Sequence, residues 1–94
     1  MTKKMKGPPL PAWFYLSFSG EGPGSFLGGI YVRGHDQLDA VRESHRLGQN
    51  PGGSVLMFGP IPAAHMRDKV PVADRERLLT AAELEAHGPM HRVR

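Results

Sequence analysis

The chain has 94 residues, which is enough for one small domain. It contains no cysteine, and this excludes a disulfide framework and any thiolate zinc or iron–sulfur site. Its 12 glycines and 9 prolines amount to roughly twice the average share of these two residues. Because both residue types interrupt helices, the composition excludes long helices and coiled coils and predicts short elements joined by turns.

The net charge of +3 originates at the two ends of the chain. Five basic residues lie there, Lys3, Lys4, Lys6, Arg92 and Arg94. The segment between them is formally acidic, so the charge predicts weak, salt-sensitive attraction to nucleic acids and no shaped nucleic-acid groove. We divide the chain into a basic, Pro-rich tail over 1–11, a single domain over 12–86 and a basic tail over 87–94.

No apolar run approaches the roughly 18 residues that a membrane span requires. Lysines followed by apolar residues near the start resemble a secretory signal. However, Pro8, Pro9 and Pro11 interrupt the apolar part, and no small-residue cleavage site follows. We therefore expect a cytoplasmic protein with no membrane partner.

An aromatic run, Trp13–Phe18, predicts the first strand, because aromatic residues favour extended structure. Side chains in a strand alternate between its faces, so Phe14, Leu16 and Phe18 share one apolar face, which we assign to the core. The opposite face carries Trp13, Tyr15 and Ser17.

The Gly- and Ser-rich stretch 19–25 predicts a loop, and 26–33 predicts a returning strand. The first two strands are therefore expected to form an antiparallel hairpin. Gly28 and Gly29 lie in the middle of the second strand. They indicate a bulge, or a place where another backbone or a helix approaches closely.

A helix is predicted over Gln37–Leu47, with Asp36 as its N-cap and Gly48 as a left-handed C-cap. Its inward face is predicted from the spacing of three residues, Leu38, Val41 and His45, with Ala40, Ser44 and Leu47 beside them.

After a tight turn, Ser54–Phe58 predicts a third strand that ends at Gly59-Pro60. Residues 61–72 follow Pro60, contain Pro62 and Pro71, show no clear period and predict an extended connector. Thr80 and Glu83 form a capping box, which marks the start of a short helix, with Leu79 and Leu84 placed as a hydrophobic staple.

This order predicts an α+β domain with a small antiparallel-type sheet in β-β-α-β order, a Pro-rich connector and a short C-terminal helix. One helix on one face would leave a sheet edge and the second face open to a partner or to a second copy.

The residues do not form a recognisable catalytic or metal-binding pattern. No two of the five histidines stand three or four residues apart within one predicted helix, since Gly88-Pro89 separates His87 from His91. No Gly-x-Ser-x-Gly elbow is present, and most carboxylates lie beside Arg or Lys, as on a solvated surface. We predict no enzyme activity, no metal and no cofactor.

The glycine clusters are typical of turns. The stretch 48–53 leads from a helix to a strand, which is the reverse of the order in P-loop and Rossmann phosphate sites. One hypothesis stays open, an anion held by a nest of backbone N–H groups. Its candidate residues are Asn50, Gly52, Gly53 and Ser54.

A partner-binding surface is predicted on the face opposite the assigned core. Trp13, Tyr15 and Tyr31 fall on that face, with Arg33 beside them. Exposed there, these side chains would bind a protein or stack single-stranded bases. The alternative is that the rings are packed under the second helix or the connector.

Several segments together resemble small uncharacterised proteins of actinobacteria and their phages, over roughly residues 13–85. They are Phe26–Val32, the helix over Asp36–Leu47, the Asn-Pro-Gly-Gly turn within 48–53 and Arg77–Thr80. The resemblance implies a phage or prophage accessory protein, a viral protein in the first case. It transfers no activity and no catalytic residue.

The leading hypothesis is a non-enzymatic accessory module that binds another macromolecule, either a host protein or a second copy of itself as a homodimer. The alternative is a single-stranded nucleic-acid-binding protein that uses the sheet aromatics and the basic tails.

Overall fold

The computed structural model describes residues 10–86. The predicted tails, with His87 and His91, lie outside the described residues except for Leu10 and Pro11. The elements are β1 (Ala12–Ser19), β2 (Phe26–Gly34), α1 (Gln37–Arg46), β3 (Ser54–Ile61), α2 (Ala63–Lys69), a single 3-10 turn (Val72–Asp74) and α3 (Ala81–Glu85). The predicted α+β class and the β-β-α-β order are confirmed.

The three strands form one antiparallel sheet in the order β2-β1-β3, so β1 is the central strand. The predicted hairpin is confirmed, with Tyr15 opposite Tyr31. The register between β1 and β2 shifts after Phe18, which leaves Leu27 as an extra residue next to Gly28. The bulge predicted around the two glycines therefore lies at the end of the hairpin.

Side chains from the two faces of β1 enter two separate hydrophobic clusters. Phe14, Leu16 and Phe18 are buried beneath α1, as predicted. The opposite face is buried as well, beneath α2, α3 and the segment between them. The residues packed there are Tyr15, Tyr31, Ile61, Met66, Val70, Leu79 and Leu84. The expectation of an open second face is therefore wrong, because the C-terminal third of the chain covers it.

The caps of α1 agree with the prediction. The Asp36 side chain accepts a hydrogen bond from the backbone N–H of Asp39 at 2.7 Å, and Gly48 has a φ of 72°. The predicted inward face is correct for Ala40, Val41, Ser44 and Leu47, which are buried or packed against the core. It is wrong for Leu38, which is 59% exposed, and for His45, which is exposed as well.

The face that α1 turns toward the sheet has a steric reason. A Cβ on Gly34 would lie only 2.6 Å from the backbone nitrogen of Ala40, so the first turn of the helix passes directly over the glycine. Small residues permit that approach, so Ala40 and Ser44 lie at the closest contact with the sheet, and the larger Val41 packs beside them.

The predicted extended connector contains α2, and this is a second correction. Its prolines flank the helix and do not interrupt it. Pro62 is the N-cap, and Pro71 comes directly after the C-cap, Val70. Proline is well tolerated at the start of a helix, where its missing N–H has no intrahelical partner to lose. The strand β3 also extends beyond its predicted end, through Gly59-Pro60 to Ile61.

The start of α3 agrees with the predicted capping box. The Thr80 hydroxyl accepts from the Glu83 backbone N–H at 3.2 Å, and the Glu83 carboxylate accepts from the Thr80 backbone N–H at 2.9 Å. That backbone donor and the Arg77 guanidinium lower the pKa of Glu83. Leu79 and Leu84, the predicted staple, are both fully buried in one cluster, so the cap positions a helix that contributes to the core.

Replacing Thr80 by alanine is expected to lower the free energy of unfolding by about 0.5–2 kcal/mol, because the hydroxyl satisfies a backbone donor at the start of α3. Urea denaturation followed by Trp13 fluorescence measures the change. Thr80→Ser retains the hydroxyl and serves as the matched control, and no loss from the cap is expected because serine caps a helix at least as well as threonine. Equal stability of both variants and the unchanged protein would show that α3 contributes nothing to the fold.

Candidate interaction surface

The structure places the two predicted surface tyrosines in the interior. Tyr15 and Tyr31 are each 0% exposed, and their ring centroids lie 5.1 Å apart at an interplanar angle of 42°. Burial raises the pKa of Tyr31 to about 12, so its phenol stays neutral across the physiological range. The hypothesis of an exposed platform is wrong for both residues, and the alternative, packing under the connector and the C-terminal helix, is confirmed.

Trp13 is half-buried between two guanidinium groups. The Cζ atoms of Arg33 and Arg75 each lie 5.2 Å from its ring centroid, which is within the range of a cation–π contact. Arg75 also donates to the backbone carbonyls of Met66 at 2.7 Å and Val70 at 3.0 Å. These carbonyls belong to the end of α2, so Arg75 attaches that helix to the rim of the sheet.

The turn predicted as an anion nest is stabilised from within. The Asn50 side-chain oxygen accepts from the Gly52 N–H at 2.8 Å, and its amide nitrogen donates to the Ser44 hydroxyl at 2.9 Å. The Gly52 amide is therefore already engaged. A Cβ on Gly53 would meet the Ser19 carbonyl oxygen, so the backbone there lies against the end of β1. Ser54 begins β3 and is exposed.

A polar cleft of about 460 Å³ lies between the end of β2 and α1. Acidic and basic side chains alternate in its wall: Arg33, His35, Asp39, Glu43, Arg46 and Glu76. Arg33 and Glu76 approach to 3.6 Å, and a hydrogen bond from Arg46 lowers the pKa of Glu43. The cleft is thus a surface of paired charges. Within residues 10–86, no group of three His, Asp or Glu side chains is placed to hold a metal ion.

The outer edge of β2 is covered by the chain itself. Leu79 donates its N–H to the Gly29 carbonyl at 2.7 Å and accepts the Gly29 N–H at 3.1 Å. The Glu76 N–H donates to the Tyr31 carbonyl at 2.8 Å. This short bridge confirms that another backbone approaches the glycine pair, as the sequence predicted. It also removes hydrogen-bonding groups that an edge strand would otherwise present.

The outer edge of β3, in contrast, has no strand beside it in the described part of the chain. Leu56 is 59% exposed and Met57 is 37% exposed, and no residue of β3 is charged. The side-chain nitrogen Nε2 of Gln37 lies 3.4 Å from the carbonyl oxygens of both Met57 and Gly59. These distances are at the long limit of a hydrogen bond, so Gln37 covers the edge only weakly.

The hydrogen-bonding groups of Met57 face away from β1. Its carbonyl is the one that Gln37 reaches. In an antiparallel strand the N–H and C=O of one residue point to the same side, and the side alternates along the strand. Within Ser54–Phe58 the groups that face outward are therefore those of Val55 and Met57, and Gln37 reaches only the Met57 carbonyl. The sequence analysis predicted an open sheet edge but did not assign it to β3. One signal for that assignment was present: between Arg46 and Arg67 the chain has no Asp, Glu, Lys or Arg.

Comparisons of the chain with protein-family models, with curated proteins and with solved structures find no match. Among the helices of residues 10–86, none has the length and apolar character needed to cross a membrane.

Replacing Arg75 by alanine removes two hydrogen bonds from a charged group, each of which contributes at most about 1.5–3 kcal/mol to the free energy of unfolding. The expected loss of stability is larger than that for Arg33→Ala. Both changes remove one cation–π contact with Trp13, so Arg33→Ala is the matched control, with an expected loss of about 1 kcal/mol or less. Urea denaturation followed by circular dichroism measures both. Equal losses would contradict a specific role of Arg75 in holding α2.

Proposed function

We propose that this protein is a small, non-enzymatic module that binds another protein by accepting an extended strand on the outer edge of β3. The observation that carries the proposal is the contrast between the two sheet edges. The bridge at Gly29 and Leu79 covers β2, whereas β3 ends the sheet without a neighbour within residues 10–86. Backbone hydrogen bonds to such an edge provide affinity, and alternate side chains provide specificity.

The chemistry of β3 favours an uncharged, apolar partner strand. Leu56 lies opposite Ser17 on the face of the tyrosines, and Met57 lies opposite Leu16 on the face of α1. Both side chains are partly exposed, so a strand added beside them extends an apolar surface on each face of the sheet. Charged side chains, proline and β-bulges are usual protections of an edge strand. Pro60 and the register shift against β1 lie between Phe58 and Ile61, whereas Ser54–Phe58 carries no charge and no proline.

The nucleic-acid alternative has lost its stacking surface. Tyr15 and Tyr31 are buried, and Trp13 is enclosed by two arginines that are held by Glu76 and by the end of α2. Weak binding through the basic tails stays a prediction. The phage or prophage origin and the cytoplasmic location likewise stay predictions from the sequence.

A selection from a phage-displayed random peptide library against the immobilised full chain tests the proposal. We expect extended, apolar peptides whose binding is reduced at least about tenfold by Met57→Pro, because proline removes the outward N–H that a strand would use. The N–H of Met57 does not pair with β1, so this change leaves the internal ladder intact. Circular dichroism verifies the fold of the variant.

The matched control is Val72→Lys, which alters another exposed apolar side chain, 77% exposed and outside β3. Peptides should bind this variant as they bind the unchanged chain. A selection without binders, or binders that tolerate Met57→Pro, would contradict the proposal.

A further inference from the structure

We infer that the strand accepted by β3 is β3 of a second copy of this chain, paired antiparallel about a two-fold axis at Leu56, so that two sheets join into one of six strands. This inference rests on the proposed function and names its partner. Three independent features of β3 support it: its length, its hydrogen-bonding pattern and its charge.

The free part of β3 is symmetric about Leu56. Gly53, with a φ of 78°, precedes the strand, and Gly59, with a φ of 131°, is followed by Pro60, which has no N–H. These residues limit regular pairing to Ser54–Phe58. The middle residue of that segment is Leu56, so two antiparallel copies overlap along the whole segment only when their Leu56 residues lie opposite each other.

The hydrogen-bonding pattern agrees with that register. The outward-facing groups are those of Val55 and Met57, one on each side of Leu56. With Leu56 on the axis, Val55 lies opposite Met57 of the second copy, and Met57 lies opposite Val55 of the second copy. Each of these pairs exchanges two backbone hydrogen bonds, and Leu56 forms the pair without hydrogen bonds between them. A register shifted by one residue would place outward groups opposite inward ones.

The charge pattern removes the usual obstacle to self-pairing. Like charges directly opposite each other destabilise a strand pair, and the chain has none between Arg46 and Arg67. Two copies therefore approach through β3 without repulsion. An acidic or basic partner would find no opposite charge there, whereas a second copy offers the same apolar side chains, with Leu56 against Leu56 and Val55 against Met57.

Gln37 sets a condition on this pairing. Its side-chain amide covers the Met57 carbonyl, which the second copy needs as an acceptor. The side chain is exposed and its hydrogen bonds are long, so it is displaced when the strands meet. Gln37→Ala removes this competitor and is expected to tighten self-association, an effect that a dimer through any other surface would not show.

Cysteine cross-linking tests the register directly, since the chain has no cysteine of its own. Opposed residues of a pair without hydrogen bonds have Cα atoms about 4.5 Å apart, a separation at which a disulfide forms. We expect Leu56→Cys to yield a covalent dimer in a glutathione redox buffer. The matched control is Val72→Cys, which places the single cysteine at a residue that is more exposed than Leu56 and lies outside β3. This variant should not form a covalent dimer.

Light scattering of the unchanged full chain provides the second measurement. We expect a dimer at high micromolar concentration and a dissociation constant raised at least about tenfold by Leu56→Lys, which places two lysines opposite each other. Leu56 is largely exposed, so at a protein concentration where both chains are monomeric the lysine variant should unfold at the same urea concentration as the unchanged chain.

Three results would overturn the inference: equal cross-linking of the two cysteine variants, a monomer at every concentration, or a dimer that Leu56→Lys leaves intact. A monomer that still binds selected peptides in a Met57-dependent manner would leave the proposed function standing and refute only the second copy as partner. Loss of peptide binding as well would refute both.

Discussion

The central strand β1 is buried on both faces, and this requires a covering layer on each side of a sheet of only three strands. In β1 the even-numbered residues, such as Leu16, face α1, and the odd-numbered residues, such as Tyr15, face the C-terminal third of the chain. Both side chains are fully buried. A Cβ on Gly29 would collide with the Tyr15 ring, so the ring packs directly on the backbone of the neighbouring strand. The domain therefore has two thin clusters in place of one thick core.

The covering of the tyrosine face also determines which edge of the sheet is closed. To bring Leu79 and Leu84 over Tyr15, the chain runs from the end of α2 along β2. On the way it pairs with Gly29 and donates to the carbonyl of Tyr31. Nothing comparable passes β3 within residues 10–86. The same path that completes the hydrophobic cluster thus protects one edge and leaves the other with free backbone groups and two exposed apolar side chains.

Features set by neighbouring residues were predictable from the sequence. The hairpin follows from alternation along β1, and the starts of α1 and α3 follow from Asp36 and from the Thr80–Glu83 box, because strand faces and caps depend on residues only a few positions apart. The start of α2 was missed since its prolines were taken as interruptions, whereas Pro62 and Pro71 lie just outside the helix.

Features that depend on distant contacts were not predictable. The inward face of α1 depends on its contact with Gly34, and the burial of Tyr15 and Tyr31 depends on where residues some 30–70 positions later return to the sheet. The candidate surface depends on the same contacts. The lack of charge from Leu47 to Met66 is visible in the sequence, but its meaning as an open edge requires the strand order.

Amide hydrogen exchange at a concentration where the chain is monomeric tests the asymmetry of the two edges most directly. The amides of Gly29 and Leu79, each of which donates to the carbonyl of the other residue, should exchange slowly. In β3, the amides of Val55 and Met57 should exchange rapidly, while those of Leu56 and Phe58 should be protected. Protection of Val55 and Met57 equal to that of Gly29 in the monomer would show that the β3 edge is already covered by the chain itself. That result would contradict the open edge on which the proposed function depends.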